Sequence, residues 1–298
     1  MKKQQKTISL NNETNKYCVL DTETIHSGKV ENNQVIGIKD IVEISWKMLD
    51  NNGLEIYGSR KGFIVKEFWE NKAYLLSDNY EQDKKTGTIK SKQNFAINKI
   101  VKWEKAIAEK VLQVKSWGYI MKQLNEDLKN YQITLFSAYN IRFDRGAIVD
   151  TSKMIPYRNY CPALWQIDYV DIMEMVKVIA KDKNFKIWSD NHKSISPKGN
   201  YKVSAEAVYR YLTNNSTELE TKILDSTSWS ETHLAIEDID CESIIVQGAI
   251  ALARRKRDIK VNVNCYGNWS ALNKLIKSTK TPRKKKTKEQ QMILLLDE

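Results

Sequence analysis

Hydrophobic and polar positions along this chain follow two rhythms, and the change from one to the other outlines a fold. Tyr17-Cys18-Val19-Leu20 is a short apolar run ending on Asp21, which predicts a buried strand. Residues 40–48 alternate with the period of a strand, Asn51-Asn52-Gly53 supplies a turn, and 54–65 returns as a second strand. The chain thus begins its core as a three-stranded meander. Polar residues 79–94, centred on Lys84-Lys85-Thr86-Gly87-Thr88, predict an exposed insertion. Helices are expected at about 97–114 and 117–130, where apolar residues recur every three or four positions.

Ile133-Thr134-Leu135-Phe136-Ser137-Ala138 predicts another buried strand, the residues from Ile141 a helix, and 165–169 a fifth strand. Asp171, with Glu174 three residues on, fits a capping box that opens a helix through about Ala180. Residues 181–200 are polar and predict irregular chain, and helices follow at about 203–213 and 233–255. Residues 1 to about 15 are polar and predict a frayed N-terminus. A meander followed by alternating helix and strand implies an α/β domain, with a mixed five-stranded sheet flanked by helices.

Composition narrows the class. The 298 residues are 41% hydrophobic and 29% charged, with 11 Gly and 4 Pro, which excludes collagen-like, low-complexity and wholly disordered chains. No apolar run approaches the roughly 20 residues that span a bilayer, and the basic N-terminus lacks the apolar stretch of a signal peptide. The expectation is a soluble, cytoplasmic protein without a membrane partner. Cys18, Cys161, Cys241 and Cys265 lie far apart and there are three His, so buried free thiols are expected rather than a zinc site or disulfides. The net charge is +11, but residues 277–288 carry seven basic side chains and no acid, leaving +4 elsewhere. That balance suits an anionic polymer as partner.

Three patterns concentrate carboxylates. Asp21-Thr22-Glu23 ends the first strand, and residues two apart on a strand project on one face, so both acids leave the core together. Tyr139-Asn140-Ile141-Arg142-Phe143-Asp144 follows the strand at 133–138. There Asn140 can cap a helix, Phe143 can face the core, and Asp144 falls in the first turn, at the positive helix end. His233-Leu234-Ala235-Ile236-Glu237-Asp238 opens the next long helix, placing His233 and Asp238 across its first turns. Asp168 and Asp171 lie near the fifth strand, and Asp171 reads as a helix cap rather than a ligand.

Taken in order, DxE at Asp21 and Glu23, NxxFD at Asn140, Phe143 and Asp144, and HxAxxD at His233, Ala235 and Asp238 resemble the DEDDh branch of the DnaQ-like 3′→5′ exonucleases. The resemblance spans about residues 15–255, and the histidine five residues before the last Asp marks the h branch. Spacings of 121 residues from Glu23 to Asp144 and 94 from Asp144 to Asp238 are long for the family, matching insertions at about 60–110 and 181–200. Ile25 and His26 stand where the family usually has a small residue. The resemblance implies an RNase H-like fold arranged as a flexible segment 1–14, a domain 15–258 and a C-terminal extension 259–298 with a basic tail.

Four converging carboxylates would repel one another and raise their own pKa values, so such a cluster implies divalent cations. Oxygen-only ligands favour two Mg²⁺ or Mn²⁺, held by Asp21, Glu23, Asp144 and Asp238. His233, with a reference pKa of about 6.5, is the expected general base. Thr22, Thr24 and Asn140 are candidate substrate contacts. The resemblance implies release of nucleoside 5′-monophosphates from single-stranded or frayed DNA, which is favoured over RNA. An exoribonuclease or oligoribonuclease, or a non-catalytic nucleic-acid-binding domain on the same fold, are the alternatives. Near the end, Gln291-Met292-Ile293-Leu294-Leu295 distantly resembles a sliding-clamp-binding peptide, which makes a polymerase or clamp a candidate partner.

Overall fold

The computed structural model describes residues 6–24, 28–37, 39–77, 79–83, 86–155, 161, 163–192, 203–213, 234–256 and 259–263. His233, Ile25, His26, Cys265 and the whole of 264–298, with its basic run and its 291–295 peptide, lie outside these residues. The chain divides into a compact unit, Met1–Cys265, and a second stretch, Tyr266–Glu298.

Strand β1 is Lys6–Ser9 and β2 is Tyr17–Thr24; β3 (Gly28–Glu31) and β4 (Gln34–Gly37) form a small hairpin ahead of β5, Ile41–Leu49. Next come β6 (Lys61–Val65), the single-turn helices α1 (Lys66–Trp69) and α2 (Lys72–Leu75), and a hairpin of β7 (Tyr80–Gln82) and β8 (Ile89–Ser91). Helix α3 is Gln93–Ala108, β9 is Gln113–Lys115, α4 is Trp117–Asn130, β10 is Leu135–Ala138 and α5 is Ile141–Met154. A 3₁₀ turn at Ala163–Trp165 leads to β11 (Asp168–Asp171), then α6 (Ile172–Ala180), α7 (Lys183–Asn191), α8 (Ala205–Thr213), α9 (Ala235–Lys256) and β12 (Lys260–Val263).

The main sheet has six strands in the order β11-β10-β2-β5-β6-β9. Its centre, β2-β5-β6, is antiparallel, while β10 runs parallel to both β2 and β11, and β9 runs parallel to β6. This is a mixed α/β sheet with one strand more than the pattern predicts. The sixth, β9, is three residues long, too short to show a period, and lies where the apolar spacing reads as the end of a helix. All nine residues of β5 are buried, which requires cover on both faces of the sheet. Helix α9 packs on β2 and β5, and also on α6 and α8. Gly62 of β6 permits this approach: a Cβ there would meet Ile236 Cδ1 at 2.8 Å and Leu112 Cδ2 at 2.5 Å. Among the described residues no helix is long and apolar enough to cross a membrane.

Several local expectations change. Residues 181–192 are not irregular, because Asp182 caps α7 by accepting from the Asn184 N–H at 2.8 Å and binds Lys256 at 2.6 Å. Helix α7 escapes the periodicity because it buries little beyond Phe185 and Ser189. The polar stretch around 79–94 contains the β7–β8 hairpin, and Lys6–Ser9, expected to fray, pairs antiparallel with β12. The capping box at α6 forms by half. Asp171 accepts from the Met173 N–H at 2.9 Å, while Glu174 turns to Lys177 at 2.6 Å. Cys18, Cys161 and Cys241 are free thiols, as expected, although Cys241 is only partly buried. Burial pushes Cys161 and Cys241 up to about 12.

Candidate metal centre

Strands β2 and β10 are parallel neighbours, registered from Tyr17↔Leu135 to Val19↔Ser137, so both strands end on the same side of the sheet. Asp21 and Glu23 lie just past that register. They are held there by β5, opposite Ser45 and Glu43, and the register shifts immediately after Glu23. The period of two places both acids on one face of β2. Thr22, between them, faces the other way and is 4% exposed.

The turn from β10 into α5 is made by Asn140 in the left-handed region, φ 60° and ψ 50°, which Asn tolerates better than most side chains. The side chain of Asn140 is exposed and makes no capping hydrogen bond, in contrast to its expected role. Its backbone N–H donates to Asp171 Oδ1 at 3.1 Å, and its carbonyl accepts from the Phe143 N–H at 2.8 Å. Phe143 is partly buried. Asp144 lands in the first turn of α5 as expected and is 2% exposed, its Oδ1 accepting the Thr22 hydroxyl at 2.7 Å.

Helix α9 brings the third segment. Its start is pinned by Glu43, whose Oε1 accepts the Ile236 N–H at 3.0 Å. Asp238 lies in the first turn, where the positive end of the helix favours an anion. One carboxylate oxygen each from Asp21, Glu23 and Asp238 lie within 4.8 Å of one another. Among the described residues these three make the metal-sized group. Asp144 adjoins it through Thr22 without being one of the three.

The electrostatics agree with a crowded anionic pocket. Burial pushes Asp21 well above the usual carboxylate range, and Asp144, Glu242, Glu23 and Asp238 push it further. Asp144 rises to about 7, mainly by burial, against the hydrogen bond from Thr22. Asp238 also rises to about 7, by burial and then by the charge of Glu23, while Lys99 opposes the shift. Thr24 is partly buried at the register shift.

Three further residues belong to this neighbourhood and carry no motif. Glu43 is fully buried opposite Glu23, where it accepts the Trp103 indole N–H at 2.7 Å and is pushed up to about 7 by burial. Lys99 of α3 forms an ion pair with Glu23. Glu242, one turn along α9 from Asp238, is 5% exposed. Its Oε1 accepts the Tyr139 N–H at 3.2 Å, and its Oε2 has no hydrogen-bond partner. Their sequence signal is position alone: Lys99 lies on the buried stripe of α3, between Ala96 and Trp103, where a solvated lysine would not be placed. No protein-family model matches this sequence, and no curated protein matches it.

Proposed function

We propose that this chain is a metal-dependent 3′→5′ exonuclease of the DEDDh type on an RNase H-like sheet, removing nucleoside 5′-monophosphates from single-stranded or frayed DNA 3′ ends. The observation that carries this reading is the convergence of Asp21, Glu23 and Asp238 within 4.8 Å from segments far apart in the chain. The donor set fits a hard divalent ion: every donor is a carboxylate oxygen, and Asp21 and Asp238 are raised by burial and, after it, by neighbouring carboxylate charge that a cation would offset. Asp21, Glu23 and Asp238, with Asp144 alongside, would hold two Mg²⁺ or Mn²⁺. Such ions, when bound, supply an activated water and charge stabilisation of the leaving oxygen.

The chain's own residues divide the remaining work. The central strand β2 fixes Asp21 and Glu23 rigidly, the Thr22 hydroxyl orients Asp144, and Glu43 fixes the start of α9 and with it Asp238. His233, two residues before α9, takes the proton of the attacking water in this reading. Asn140, exposed beyond the end of β10, and Thr24 are the substrate contacts in reach of solvent, whereas buried Thr22 acts through Asp144. A polymerase or sliding clamp bound through 291–295 is the proposed partner.

The test is digestion of matched 5′-labelled single-stranded DNA and RNA oligonucleotides with Mg²⁺ and with EDTA. A ladder of 3′-shortened DNA in Mg²⁺, lost in EDTA and weaker on RNA, is expected. Endonucleolytic fragments, or no metal-dependent cleavage of either strand, would remove the assignment.

A further inference from the structure

Helix α3 falls in the stretch that the family resemblance marks as an insertion, yet it enters the carboxylate cluster. Its buried side is a narrow stripe of Ala96, Lys99, Trp103 and Ala106, spaced as one helical face. Lys99 is 2% exposed, as deep as the apolar residues around it, and its ammonium pairs with Glu23, whose side chain is 20% exposed. Four residues on, Trp103 is fully buried and donates to Glu43, the acid that also pins the start of α9. Helix α3 is thereby fastened at one place to Glu23, Glu43 and the helix carrying Asp238. An ammonium this deep is costly without an anion beside it, and here its ion-pair partner is the proposed ligand Glu23, while its charge also acts on Asp238.

We infer that Lys99 is a built-in counter-cation of the cluster, a positioning residue that holds Glu23 beside Asp21 and Asp238 and tempers how tightly the cluster takes a divalent ion. This rests on the proposed metal centre. A fixed positive charge beside Glu23 steadies the acids without metal, and it competes with an incoming cation for the same carboxylate. Removing the charge should therefore loosen the metal-free protein and tighten metal binding. Loss of a merely structural side chain would not tighten it.

The experiment compares wild type, Lys99→Met, Glu23→Gln and the double variant by melting in EDTA at pH 8, and titrates Mn²⁺ into wild type and Lys99→Met. Lys99→Met should melt lower in EDTA, lose most of that deficit in the Glu23→Gln background, and bind Mn²⁺ about tenfold more tightly. Unchanged or weaker Mn²⁺ affinity in Lys99→Met, or additive melting effects, would overturn the inference. Should Lys99→Met not be recovered folded, Lys99→Gln, which keeps a donor but no charge, gives the same reading. Absence of Mn²⁺ binding in both wild type and Lys99→Met overturns the metal centre itself, and the coupling measured in EDTA then judges the Lys99–Glu23 pair separately.

Discussion

The hydroxyl of Thr22 donates to Asp144 Oδ1 at 2.7 Å, joining two residues 122 positions apart inside the core. The bond ties the first turn of α5 to the central strand, so the side chain that orients one acid sits between two others. Thr22→Val keeps the shape and removes the donor. It should cost about 1–3 kcal/mol, because a buried carboxylate loses a partner, and should lower Mg²⁺-dependent activity markedly. Thr22→Ser should stay near wild type in both melting and turnover.

Asp21→Ala, Glu23→Ala, Asp144→Ala and Asp238→Ala should each abolish nuclease activity while leaving a folded chain; loss of Asp21, Asp144 or Asp238 relieves repulsion, whereas Glu23→Ala should melt lower because it strands the Lys99 ammonium. Circular dichroism and the oligonucleotide assay check this together. Near-wild-type turnover in any two of them would sink the metal assignment.

The metal-free protein should lose stability as pH rises from about 4 to about 7. Asp144, Asp238 and Glu43 hold their protons to about 7 in the fold, whereas unfolded carboxyls release them near about 4. Between those limits the folded state binds more protons, so deprotonation favours unfolding. Melts in EDTA should run higher at pH 5.5 than at pH 8, and Asp238→Asn should shrink the difference. A flat or rising profile would contradict the raised carboxyls.

His233→Ala should reduce turnover by about 10²–10⁴ while Mn²⁺ binding persists, because its proposed work is proton transfer. Loss of Mn²⁺ binding would instead make His233 a ligand.

Asp127, 3% exposed on α4, accepts from Trp46 Nε1 at 2.9 Å, from Lys61 Nζ at 2.7 Å and from Gln123 Nε2 at 3.0 Å. Asp127→Ala strands an indole and an ammonium together. Lys61 is about a quarter exposed, so the cost should be about 3 kcal/mol, lowering the melting temperature by roughly 6–12 °C without altering Mn²⁺ affinity.

The sequence is most legible where burial and period agree. The apolar run at 17–20 becomes the centre of the sheet with Asp21 at its end, and the first turns of α5 and α9 carry Asp144 and Asp238 as the patterns predict. It is least legible where tertiary contacts override composition. Lys6–Ser9 is polar but pairs with a strand more than 250 positions away, which no local pattern announces. Glu43 sits in an alternating segment that predicts a half-exposed strand, yet β5 is covered on both faces and its acid is sealed in. Lys99 is hidden by its residue type: Ile97 and Val101 on the same helix are 43% and 59% exposed, while the lysine is buried. An interior ammonium depends on anions that come from another part of the chain.

The order in which the acids emerge has a bearing on the nascent protein. Asp21 and Glu23 are synthesised before Asp144, but Asp238 belongs to α9, the last helix among the described residues, and Glu43 cannot meet the Ile236 N–H until that helix exists. Contacts this distant in sequence close late in folding. A ribosome-bound chain, or one cut short before α9, therefore lacks the third acid of the cluster, and no amino-terminal fragment should cleave nucleic acid through this centre. On the proposed function, the topology would keep the emerging polypeptide inert toward nucleic acid until α9 has been made.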